Sequence, residues 1–139
     1  MKILFLSQSV PYPPHGGVLQ RGYNLLRELG RSETVHLLAY IHPDALPTPS
    51  SLDDSRADLG RFCASVEYFR LWPKASRFHR LAALAASAAS PLPFSVIAHR
   101  SAAFRRRVRT LLCSTAFDAV HVDTLALWPF VRERRGVPA

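Results

Sequence analysis

Two adjacent glycines, Gly16 and Gly17, separate a short apolar run from an amphipathic one, and the residues that could do chemistry lie around that junction. Lacking a Cβ, both positions let a ligand come close to the backbone amides. They stand where a helix is expected to begin, and the free N–H groups and dipole of a helix start attract negative charge, typically phosphate. The same pair equally permits a tight strand-to-helix turn. No full G-x-G-x-x-G and no Walker lysine accompanies it, so spacing alone favours neither reading. His15 beside the glycines is either a ligand contact or a plain loop residue; Arg21, in the first turn, either meets a phosphate or stays solvated. Far along the chain, Asp123 follows a second apolar run. Its carboxylate could accept a hydrogen bond from a substrate hydroxyl or act as a base, or cap a helix starting near Leu125, or do both. His121, two residues earlier on the same strand face, reads better as a satisfied core histidine than as a catalytic one. Arg105, Arg106, Arg107 and Arg109 form the most basic run. That run is either a solvated helix face or a contact for anionic lipid. Nucleic acid would be attracted too, but no aromatic residues interleave with the arginines and no nucleic-acid-binding motif accompanies them.

These residues need elements to hold them. Ile3 to Leu6 is a continuous apolar run, as in a strand buried on both faces of a parallel sheet. Ser7 to Gly17 contains three prolines and cannot be helix. Val18, Gly22, Leu25, Leu26 and Leu29 then share one helical face, and Gly30 is expected to stop that helix in the left-handed conformation. Thr34 to Ile41 reads as a second buried strand and Pro43 to Pro49 as a loop. Ser51 to about Phe62 reads as a helix with Asp53 and Asp54 in its first turn, and Ser65 to Leu71 as an edge strand. Such an order calls for a parallel sheet with right-handed crossovers. It sets the glycine loop at the carboxyl ends of the strands, where open α/β sheets bind ligands. Arg77 to Ser90 favours helix until Pro91 and Pro93 break it. A second helix is expected from about Ser95 to Cys113, with Ile97, Phe104, Val108, Leu111 and Leu112 as its apolar stripe. Phe117 to Val122 forms a fourth strand, and Leu125 to Arg135 a closing helix interrupted or started by Pro129. Gly136 and Pro138 read as a stop and the approach to another strand.

Composition bounds the function classes. At 139 residues, 48% apolar and 20% charged, the chain suits a single folded domain and not a disordered one. A net charge of +8 implies attraction to polyanions. Cys63 and Cys113 have no metal-ligand spacing and read as idle thiols of a reducing cytosol. Lys2 and the four apolar residues after it are too short for a signal peptide, and Leu81 to Ala89 falls far short of the about 20 residues of a membrane span. A cytoplasmic protein is expected.

The stretches Lys2-Ile-Leu-Phe-Leu-Ser7, Pro11-Tyr-Pro-Pro-His-Gly-Gly17, Arg21, Asn24-Leu-Leu-Arg-Glu-Leu29 and Val35-His-Leu-Leu-Ala-Tyr40 together resemble the N-terminal domain of family-4 GT-B glycosyltransferases. The sugar transferases of exopolysaccharide biosynthesis are the most similar type. Ser90-Pro-Leu-Pro-Phe-Ser95 and Phe117-Asp-Ala-Val-His-Val-Asp123 extend the resemblance over nearly the whole chain. It implies a Rossmann-like, acceptor-side domain, facing a separate C-terminal domain that binds the nucleotide-sugar and carries an E-x7-E motif. The reaction implied is retaining transfer to a glycan or lipid-linked acceptor, with no metal and no further cofactor. Gly16, Gly17 and Arg21 would reach the donor diphosphate, and His15, His121 and Asp123 would be acceptor-side candidates, although relatives often carry histidine where Asp123 stands. The basic run would dock on the anionic inner face of a membrane. Residues 1–139 would then be a partial domain without its donor-binding half, inactive alone. Its fourth strand would become a sheet edge where Val120 and Val122 lack cover. Two other readings stand beside this one: a non-enzymatic gene remnant, and a basic α/β module binding nucleotide or nucleic acid.

Overall fold

A computed structural model describes residues 1–42, 49–70 and 101–131. In chain order these form β1 (Lys2–Ser7), α1 (Gly17–Leu29), β2 (Thr34–Ile41), α2 (Pro49–Leu59), β3 (Ser65–Arg70), α3 (Ala102–Ser114), β4 (Ala119–Val122) and a 3₁₀ turn, Leu125–Phe130. The four strands make one parallel sheet in the order β3-β2-β1-β4. It is an α/β, Rossmann-like sheet flanked by helices, as the alternating apolar runs require.

Central strands β1 and β2 are buried on both faces, and alternation divides their side chains between two cores. Leu4, Leu6, Leu38, Tyr40 and Val120 meet Phe104, Val108 and Leu111 of α3. Phe5, Val35, Leu37 and Ala39 meet Leu26 of α1, Leu59 of α2 and Cys63. Phe104 anchors the first core: its ring stacks on Tyr40 at 4.5 Å and meets Phe69 at 5.1 Å and Phe130 at 4.9 Å. Ser101 caps α3 in extended geometry, its Oγ accepting from the Phe104 amide at 3.3 Å, so the side chain that starts the helix also places the anchor. Burial pushes the Cys63 thiol up to about 12, which leaves it the idle thiol expected of a buried cysteine.

Several expectations need correction. Gly30 does not adopt the left-handed conformation; its φ is −66°. Glycine is needed there because a Cβ would lie 2.2 Å from the Phe62 carbonyl oxygen. α2 begins at Pro49, so the loop ends sooner and Asp53 and Asp54 fall beyond its first turn. A first-turn proline loses nothing, since its missing N–H has no partner in a helix start. α3 begins only at Ala102, because Ser101 is extended. β4 is shorter than the apolar run that predicts it, and the segment after it is a 3₁₀ turn through Pro129. β4 pairs with β1 alone among the described strands, yet Val120 is buried beneath α3 and Val122 packs against the same core. Val120 and Val122 also line an open apolar groove along β4 with Leu125 and Trp128, which are 86% and 45% exposed, and Val18 of α1 is exposed as well. The expectations for Pro43, for the Arg77 to Ser90 helix, for Pro91, Pro93 and Ile97, and for Gly136 and Pro138 lie outside the described residues.

Candidate functional site

The carboxyl ends of β1 and β4 and the start of α1 converge at one place. The chain leaves β1 at Ser7, is held to β2 by the Val10 amide donating to the Tyr40 carbonyl at 3.0 Å, and reaches Gly16 with φ +79°. That angle is one side chains rarely adopt, so turn geometry alone accounts for Gly16. Gly17 is different. Its φ is not positive, and a Cβ built there meets nothing within 4 Å. The α-helical ladder closes at once, the Gln20 amide donating to the Gly16 carbonyl at 3.0 Å. Neither backbone strain nor internal packing therefore requires the second glycine. A turn explanation covers one glycine and leaves the other.

Arg21 stands one helical turn beyond Gly17, on the same face of α1. Its Nη2 donates to Asp123 Oδ1 at 2.7 Å and to the Asp123 carbonyl at 3.3 Å, joining the start of α1 to the end of β4 across 102 positions. The Arg21 side chain is 62% exposed, whereas that of Asp123 is 3% exposed. Among the described residues the second carboxylate oxygen, Oδ2, has only the Ser7 hydroxyl at 3.4 Å, and that hydroxyl donates at 2.7 Å to the Ser9 carbonyl. The expected cap role for Asp123 is not found: Thr124 is the residue before the 3₁₀ turn, and neither side chain caps it. The Thr124 hydroxyl is itself buried without a hydrogen-bond partner among the described residues.

No protein-family model, curated protein or solved structure matches this chain.

His121 stacks on Phe5 with ring centroids 4.3 Å apart, on the sheet face that α1 and α2 cover. Burial pushes its imidazole below the usual histidine range, Asp123 raises it in part and Arg21 lowers it further. A half-buried ring stacked on Phe5, with its charged form disfavoured by burial, fits a core histidine. His15 is exposed at the loop tip, its amide donating to the Pro13 carbonyl at 2.7 Å. Sequence reasoning passes over two neighbours. Ser7, buried at the last position of β1, touches Asp123, and His42, just past β2, has Nε2 3.0 Å from the Gln8 carbonyl. Both stand at the carboxyl ends of central strands, which is the signal that could have found them.

The basic run divides. Arg107 turns toward the sheet and grips Glu67 of β3 with two nitrogens, Nε donating to Oε2 at 2.7 Å and Nη2 to Oε1. It does not belong to the exposed patch. Arg105, Arg106 and Arg109 instead line a surface depression of about 550 Å³ with Ser101, Ala102 and Thr110. Arg105 and Arg106 have no ion pair among the described residues, whereas Arg27, Arg31, Arg56 and Arg61 on the opposite face each stand beside an acid. Among the described residues no group of three or more His, Cys, Asp or Glu could hold a metal, and no helix is long and apolar enough to cross a membrane.

Proposed function

We propose that this chain is the acceptor-side half of a retaining GT-B glycosyltransferase, which moves a sugar from a nucleotide-sugar to a glycan or lipid-linked acceptor. What supports the reading is Gly17, a glycine that neither the turn nor the packing around it requires, one helical turn before an exposed arginine. An amide left open at a helix start beside a guanidinium suits a diphosphate, which takes backbone donors and a fork of N–H groups together. In this reading the Gly16 and Gly17 amides and Arg21 hold the donor diphosphate, and Asp123 receives the acceptor hydroxyl. His15 and His121 border the sugar. The depression lined by Arg105, Arg106 and Arg109 rests against an anionic membrane face. Orienting two reactants across a cleft supplies much of the rate acceleration in such transfers.

The substitution Gly17→Ala tests the reading. Alanine at a helical position that it fits raises stability by up to about 1 kcal/mol, so thermal unfolding should be unchanged or shifted upward. A nucleoside diphosphate should nevertheless bind the variant several-fold more weakly, because the new methyl stands where the phosphate approaches. Unchanged affinity in a folded variant would leave Gly17 without a ligand role and overturn the reading.

A further inference from the structure

The contact that assembles the site also blocks it. A guanidinium grips a phosphate through one of two forks, Nε with Nη2 or Nη1 with Nη2. Both forks use Nη2. In this chain the two acceptors on Nη2 are the carboxylate and the carbonyl of Asp123, at 2.7 Å and 3.3 Å. Nη2 has one N–H in each fork, so a phosphate at the glycine loop competes with Asp123 for Nη2 and takes an unshared two-point grip from Arg21 only by displacing an Asp123 acceptor. Displacement has a consequence at the other end of the pair. The Asp123 side chain is 3% exposed, and without Arg21 its carboxylate keeps, among the described residues, only the Ser7 hydroxyl at 3.4 Å. A buried carboxylate short of donors is costly, and a ligand hydroxyl donating to it would remove that cost.

Resting on the proposed diphosphate site, we infer that the Arg21–Asp123 pair is an autoinhibitory clasp through which an anion at the glycine loop and a hydroxyl-bearing ligand at Asp123 assist each other's binding. Each ligand takes over one half of the pair. An anion alone must strand the carboxylate, and a polyol alone must strand the arginine. Because the coupling is one free energy shared by the two sites, it acts equally in both directions.

Inorganic pyrophosphate is the probe, titrated at low ionic strength into the full chain and into Asp123→Asn, with amide resonances followed by NMR. The asparagine releases Arg21 from a charge, so the variant should bind pyrophosphate more tightly than the wild type, by at least about 5-fold. The double variant Arg21→Gln with Asp123→Asn should lose that gain. In the unaltered protein, pyrophosphate should also move the Asp123 ¹³Cγ resonance, a readout that stands even where the variant folds poorly. Equal or tighter binding by the wild type, with shifts at Gly16 and Gly17 present and the Asp123 carboxyl unmoved, would overturn the clasp and leave the diphosphate site standing. No shift at Gly16, Gly17 or Arg21 in either protein would remove both.

Discussion

Among the described residues, His121 and His36 couple the fold to pH near neutrality. Burial is the main cause holding both imidazoles below the ordinary value of 6.5, His36 being 2.8 Å from the Ser65 hydroxyl and His121 stacked on Phe5. A depressed histidine stays neutral in the folded chain at a pH where the unfolded chain has taken up a proton. Stability is therefore full above 6.5 and declines as the pH falls from there toward the folded values. The lowered carboxyl groups of Glu28 and Glu33 act in the same direction, but only below their ordinary 4.5. Urea unfolding between pH 7 and 5 should show this decline, and His121→Gln should flatten it. A stability that is level across this range would contradict the burial assigned to both rings.

Among the elements, α3 sends its arginines two ways, Arg107 toward β3 and Arg105 and Arg106 toward the surface. Arg107 ties the helix to β3 through Glu67, with both side chains partly exposed. Exposed pairs contribute about 0–1 kcal/mol, and a two-point grip belongs at the upper end of that range. Arg107→Ala should thus lower stability by up to about 1 kcal/mol and leave binding to phosphatidylglycerol vesicles nearly intact. Arg105→Gln with Arg106→Gln should do the reverse, removing most of a vesicle binding that weakens with salt. Equal vesicle binding by that double variant would reduce the run to a solvated face. The sequence makes the run visible but not its division, because Glu67 lies 40 positions from Arg107 and nothing local marks the pairing. The same limit hides the Arg21–Asp123 contact, whose partners read as separate ligand contacts until the sheet brings them together. β1 and β2 are legible because continuous apolar runs leave little choice of structure, and β2 has the bounds expected of it. Gly30 shows the opposite case: the residue type is right for a helix stop, but its cause is the Phe62 carbonyl, which only the tertiary fold brings near.

At the scale of the whole molecule, the parallel order β3-β2-β1-β4 sets every strand's carboxyl end toward one edge, and the candidate ligand groups gather there. The remaining surface is polarised. Arginine–acid pairs occupy α1 and α2, an open basic depression lies on α3, and an apolar groove runs along β4 beside Leu25, Leu29 and Trp128. The proposed function puts a nucleoside diphosphate at the glycine loop rather than in the basic depression on α3. NMR titration of the full chain with uridine diphosphate, alongside Arg21→Gln, separates them most directly. The account predicts amide shifts at Gly16, Gly17, Arg21 and Asp123, abolished or strongly weakened by the substitution. Shifts confined to Arg105, Arg106 and Arg109, or equal in both proteins, would contradict it.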